Sequence, residues 1–190
     1  MEIDEIVEKC LQNDSRAYEE LFEKTAPYFM GLCRRYITSS ADAEDVLQEA
    51  FIKIFQSLSS LREVSLFQAW AKRIVINMAI GFLRKKSVLN ECVDADVGTI
   101  ELSESEVSES EKKLRTMEMN EIVRLMDGLP EGYKTVLNLY SIEGYSHKEI
   151  AEILGISEGA SRSQYHKAKK AFQKVILSNQ SELYPDERLV

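Results

Sequence analysis

The chain has 190 residues and a 44% apolar share, which allows one large domain or two small ones and excludes wholesale disorder. Eight Gly and three Pro exclude collagen-like, low-complexity and turn-dense all-β chains. With 24 Lys+Arg against 32 Asp+Glu the net charge is −8, the wrong sign for a nucleic-acid binder unless the charge is unevenly distributed.

In chain order, residues 3–11 and 17–36 carry apolar positions at helical spacing: Ile6, Val7 and Cys10, then Leu21, Phe22, Phe29, Leu32 and Cys33. Asp14 or Ser15 can cap the second helix, and Pro27 kinks or splits it. A third helix starts at 39–42 and runs to about 58. Val46, Leu47, Ala50, Phe51, Ile54, Phe55 and Leu58 form its broad apolar face. Asp42, Asp45, Gln48, Glu49, Lys53 and Gln56 line the opposite side, with Ile52 among them. Paired carboxylates raise a metal or acid–base reading, which fails because no histidine or suitable loop lies nearby. An acidic stripe with one apolar member fits a docking surface for a basic partner, and equally a solvated face.

A fourth helix begins near 66 and ends by 86. Trp70, Arg73, Asn77 and Arg84 fall on one side, Lys72, Lys85 and Lys86 add charge, and no acid occurs between Val64 and Asn90. Cations interleaved with an aromatic suit melted DNA, where they hold phosphates while the ring stacks on bases. The alternative places Trp70 in the core.

Residues 91–113 contain the acids Glu91, Asp94, Asp96, Glu101, Glu104, Glu106, Glu109 and Glu111 and no Lys or Arg up to Glu111. These eight charges equal the whole net charge, so the remainder of the chain sums to zero. Ser-rich and poor in large apolar residues, this stretch reads as a solvated linker. It separates a domain at 1–90 from one at 114–180, followed by a tail at 181–190.

Beyond the linker, residues 114–126 read as one helix that Asp127-Gly128 terminates. Pro130 suits the first turn of another helix through about 142. Two short helices then flank Gly155. Ser146 and Glu149 are spaced as a capping box, Gly155 supplies the positive φ of a tight turn, and Ser157 can cap the next helix, which is the helix-turn-helix pattern. From Gly159 to Ile176 there are five Lys/Arg and no acid. Tyr165, Ala168, Phe172 and Ile176 cluster on one side of this helix. Arg162, His166, Lys169 and Gln173 lie on another, with Ser163 and Lys170 beside them. Such a face fits the major groove, its lysines chiefly meeting phosphates; a solvated basic face is the alternative. The fold class is all-α.

Cys10, Cys33 and Cys92 contain no CxxC, and His147 and His166 are the only histidines, so no metal or cofactor is expected. No apolar run is long enough for a bilayer and the start of the chain is acidic, so a cytoplasmic location is expected.

The chain resembles the bacterial RNA polymerase sigma factors of the extracytoplasmic-function (ECF) class. Asp42-Ala-Glu-Asp-Val-Leu-Gln-Glu-Ala-Phe-Ile-Lys-Ile-Phe resembles that family's polymerase-clamp-binding helix. Phe67-Gln-Ala-Trp-Ala-Lys-Arg-Ile-Val-Ile-Asn-Met-Ala-Ile-Gly-Phe-Leu-Arg resembles its promoter −10 helix. Leu129-Pro-Glu-Gly-Tyr-Lys-Thr-Val-Leu-Asn-Leu-Tyr, with Glu143-Gly-Tyr-Ser-His-Lys-Glu-Ile-Ala-Glu-Ile-Leu-Gly-Ile-Ser-Glu-Gly, resembles its −35-binding domain. The resemblance covers most of residues 15–90 and 117–176.

It implies a non-enzymatic initiation factor that brings core polymerase to promoters and aids melting. Asp42, Asp45, Gln48, Glu49 and Ile52 would meet the largest-subunit clamp. Trp70, Lys72, Arg73, Asn77, Arg84 and Lys85 would hold −10 DNA, with the 59–66 loop capturing a flipped base. Ser161, Arg162, Ser163, His166, Lys167, Lys169 and Lys170 would serve the −35 element. Further implied partners are the flap of the second-largest subunit and an anti-sigma factor, with no small-molecule substrate. The acidic linker would thread polymerase channels as a nucleic-acid mimic. Ser161, Gln164 and Gly81 depart from the family's usual residues, which bears on the promoter sequence read. A free-standing helix-turn-helix regulator and a helical adaptor are the rival readings.

Overall fold

The computed structural model describes residues 2–86 and 100–178, and the chain divides into two compact units, Met1–Lys86 and Ser87–Val190. Every regular element among the described residues is helical. The core of the expected linker, residues 91–99, and the expected tail at 181–190 lie outside the described residues.

The first unit contains α1 (Ile3–Leu11), α2 (Ser15–Tyr36), α3 (Ser40–Ser57) and α4 (Phe67–Lys85), with single 3-10 turns at Leu58–Ser60 and Val64–Leu66. Asp14 is the cap of α2, its carboxylate accepting from the Arg16 amide at 3.0 Å. Asn13 takes the left-handed conformation between α1 and α2, which a short polar side chain tolerates. Pro27 neither splits α2 nor ends it. Leu21 and Thr25 before it and Phe29, Leu32 and Cys33 after it are all buried in the same core, so tertiary packing holds both halves across the missing N–H donor.

Aromatic contacts set the rotation of α3. Phe51 meets Phe22 at 4.6 Å and Phe29 at 5.9 Å between ring centroids, and Phe55 meets Tyr18 edge-on at 5.1 Å. Such pairs each contribute about 0.5–1.5 kcal/mol beyond simple burial. With Val46, Leu47, Ala50 and Ile54 also buried, the acidic side of α3 has no option but to face outward. Burial of Phe67, Ala71, Val75, Ile76, Ala79, Ile80 and Leu83 fixes α4 in the same way.

The second unit contains α5 (Glu104–Thr116), α6 (Met119–Met126), α7 (Glu131–Leu137) continuing into a π-helical turn (Asn138–Ile142), α8 (His147–Leu154) and α9 (Glu158–Ser178). Its core joins Leu125, Met126, Leu129, Tyr133 and Leu137 to Ala168, Ala171, Phe172 and Ile176 of α9.

The structure departs from four sequence expectations. The supposed linker is helical from Glu104, not solvated coil up to 113. Ser103 and Glu106 form a full capping box, Glu109 pairs with Lys113 at 2.6 Å, and Leu114 packs on the core. Serine and glutamate, which read as solvating, are here the start signal of a helix. The single helix expected over 114–126 breaks at Met117, which turns extended and packs against the core. The helix after Gly155 is not short but 21 residues long, because its second half is the buried spine of the unit. Pro130 stands one place before the first turn, as the N-cap of α7.

Candidate functional site

On α3, Asp45, Gln48 and Glu49 are exposed, and Ile52 is 56% exposed despite being apolar. Asp42 is different. It is half-buried and accepts from the Lys86 ammonium at 2.7 Å, while that ammonium also lies 4.7 Å from the centre of the Phe82 ring. The Lys86 hydrogen bond, helped by Ser39, holds the Asp42 carboxyl below its ordinary range. A carboxylate whose pKa is depressed on folding contributes stability that is present above the unfolded value and is lost as the pH falls through the folded one. The stability difference between the wild type and Asp42→Asn should therefore be constant near neutral pH. It should shrink once the pH drops below 3.8, the ordinary value, and added salt should reduce it at every pH. Urea unfolding at stepped pH measures it.

On α4, Arg73, Asn77, Arg84 and Lys85 are exposed along one flank, and Trp70 and Lys72 are half-buried. Trp70 is neither fully buried nor fully exposed, and its ring tilts against the buried Phe67 ring at 6.2 Å between centroids. With no acid between Val64 and Asn90, the open side of α4 is cationic or neutral throughout. The preceding loop carries Leu66 at 51% exposure.

The helix-turn-helix forms as its caps predict. Ser146 and Glu149 cap α8 reciprocally, Gly155 has φ 68°, and the Ser157 hydroxyl accepts from the Ala160 amide at 3.1 Å. Along the first half of α9, Arg162, Ser163, His166 and Lys167 form one exposed stripe, flanked by exposed Lys169 and half-buried Lys170. Arg162 pairs with Glu158 one turn earlier, and Lys169 pairs with Glu111 of α5 at 3.5 Å.

Two residues leave the expected surface. Ser161 is fully buried and its hydroxyl lies 3.0 Å from His147 Nδ1, so it cannot reach a groove in this fold. Gln173 is 7% exposed, on the half of α9 that serves the core. Ser161 stands seven residues before Ala168 and eleven before Phe172, which is the core phase of a helix, so its burial was readable from spacing alone. The pairing of Asp42 with Lys86, and of Lys169 with Glu111, carried no sequence signal because the partners are far apart in the chain.

Burial pushes the Cys33 thiol up to about 11, and burial with Asp14 nearby does the same to Cys10, which makes both inert as nucleophiles. No cluster of metal-ligating side chains occurs among the described residues, and no helix among them is long and apolar enough to cross a membrane.

Residues 21–88 match the family description "Sigma-70 region 2" and residues 119–172 match "Sigma-70, region 4". The chain is 33% identical over 172 residues to the ECF RNA polymerase sigma-E factor of Escherichia coli strain K12, covering 87% of this chain and 90% of that one. It is 32% identical over 183 residues to the RNA polymerase sigma-H factor of Pseudomonas aeruginosa, covering 90% and 92%. Among solved structures, the sigma factor RpoE bound to the anti-sigma factor NepR from Bartonella quintana superposes with a TM-score of 0.51 at 17% identity, over 84% of this chain and 96% of that one. CnrH in complex with the cytosolic domain of CnrY gives 0.50 at 20% identity, over 94% and 99%.

Two all-helical units, one with an exposed acidic stripe beside a cationic helix and one with a capped helix-turn-helix, are thus the region 2 and region 4 units of a promoter-directing transcription initiation factor. The chain belongs to the ECF class of sigma-70-family RNA polymerase sigma factors.

Proposed function

We propose that the α3 stripe, Asp42, Asp45, Gln48, Glu49 and Ile52, docks on the clamp of the polymerase largest subunit. In the same reading the region 4 unit meets the flap of the second-largest subunit. The open flank of α4, from Trp70 and Lys72 through Arg73 and Asn77 to Arg84 and Lys85, holds the melted −10 strand, where cations contact phosphates and the half-buried Trp70 ring stacks on a base. Arg162, Ser163, His166 and Lys167 face the −35 major groove, with Lys169 and Lys170 on its phosphates. The chain carries no chemistry of its own in this scheme and acts in the cytoplasm, where polymerase supplies catalysis. An anti-sigma factor is a further partner, a reading supported by the two complexes above.

The observation that carries this reading is the segregation of charge by element: carboxylates with an exposed isoleucine on α3, and cations on the open sides of α4 and of α9 beyond its first turn. A chain of net charge −8, whose charges outside the acidic segment sum to zero, has little counterion-release drive for DNA when alone. Docking on polymerase places both units against one promoter and raises their effective concentration. Transcription from a genomic fragment library with purified core polymerase tests the reading. Discrete start sites sharing −10 and −35 elements are expected. Absence of start-site selection, or tight palindromic binding without polymerase, would favour a free-standing regulator.

A further inference from the structure

Ser161 poses a problem that the helix-turn-helix must solve. Its hydroxyl is fully buried at the first turn of α9, one residue before Arg162. A buried hydroxyl without a partner is costly. Here His147, the first residue of α8, brings Nδ1 to 3.0 Å from it. The imidazole is held in turn. Tyr140 of the π-helical turn stacks on it at 4.5 Å and 18°, and Tyr165 of α9 meets it edge-on at 5.6 Å. Tyr140 and Tyr165 also touch each other at 4.4 Å, and the Ser141 hydroxyl donates to the Tyr165 phenol oxygen at 3.4 Å.

The cluster therefore ties three elements at the end of α8 farthest from the Gly155 turn. Eight helical residues separate turn and clasp by about 12 Å. A hinge at Gly155 alone leaves the α8–α9 angle to apolar packing, which is non-directional. A directional bond at the far end removes that freedom. Burial, with Arg162 nearby, holds the His147 imidazolium below its ordinary range, so the ring is neutral at pH 7 and makes one hydrogen bond to the hydroxyl in either tautomer.

We propose that His147 is a positioning residue for the recognition helix: its hydrogen bond to buried Ser161, clasped by Tyr140 and Tyr165, sets the angle at which α9 presents Arg162, Ser163, His166 and Lys167, and so sharpens −35 base preference. This rests on the reading that α9 faces the −35 element.

The test uses holoenzyme assembled from core polymerase and the full chain. It measures the ratio of transcript from a matched −35 element to transcript from single-base variants of it, alongside thermal unfolding of each protein. His147→Phe keeps a ring for the stack and removes the bond; the ratio should fall about tenfold, the scale of one lost hydrogen bond. Adding Ser161→Val removes the orphaned hydroxyl and should recover the melting temperature, since removing both partners together is nearly neutral for stability, but not the ratio, because the directional bond is still missing. His147→Asn places an amide near the former Nδ1 position and should retain the ratio. If His147→Phe does not fold, Ser161→Ala removes a single atom and should show the same loss. An unchanged ratio in His147→Phe or Ser161→Ala, with only a lower melting temperature, overturns the proposal and leaves the clasp as fold stability. Arg162→Ala separates the two levels: if it too leaves the ratio unchanged, α9 does not read the −35 element and the underlying assignment fails first.

Discussion

Asp45→Lys together with Glu49→Lys should weaken binding to core RNA polymerase by roughly a hundredfold or more, equivalent to about 3 kcal/mol, because each substitution replaces an attraction with a like-charge repulsion. The fold should survive. Both side chains are exposed on the outer side of α3, and exposed substitutions away from caps and cores usually stay within about 0.5 kcal/mol. Asp42 is left out of the pair because its bond to Lys86 joins α3 to the end of α4, so altering it would mix docking with stability. Fluorescence titration of the labelled chain with core enzyme, beside a thermal melt, separates the effects. Unchanged affinity in a folded variant would remove α3 as the docking element and turn its stripe into a solvated face.

Arg162→Ala should cost about 1–3 kcal/mol at one −35 position and relax base preference there, as expected for a side chain that reads a base edge. Lys169→Ala should behave otherwise, weakening all promoters alike and lowering the salt slope by about one. The geometry supports this difference. Arg162 lies within the exposed stripe and its partner in the free chain, Glu158, is on the same helix, a surface pair of about 0.3–0.5 kcal/mol. Lys169 lies at the edge of the stripe and pairs across to Glu111 of α5. Footprinting and transcription on promoters substituted base by base, at stepped salt, measure both. Equal losses on matched and scrambled −35 elements would reduce Arg162 to a backbone contact.

Much of this was legible because local signals and tertiary packing agree. The caps at Asp14, Ser146 and Ser157 act through short-range hydrogen bonds, so spacing alone locates them. Helical periodicity sorted the faces of α3 and α4 correctly because one side of each had to be buried. At α9, helical phase puts Gln173 with Arg162, His166 and Lys169, and the family resemblance puts Ser161 among the −35 contacts, although both lie against the core. Composition misled at α5, where a run of Ser and Glu looked solvated while its order was that of a capping box. The break at Met117 has no Gly or Pro to announce it, because it arises from one side chain turning into the core.

From sequence alone came the all-helical class, the two charged faces, the helix-turn-helix and the membership in a family of promoter-directing factors. All of these rest on periods, caps and motifs that span only a few turns of chain. Only tertiary structure decided that Pro27 is carried through α2, that Asp42 is tied to Lys86, and that the buried Ser161 hydroxyl meets His147 of α8. Those outcomes depend on contacts between residues distant in the chain, where burial and a bonding partner, not residue type, determine what a side chain can do.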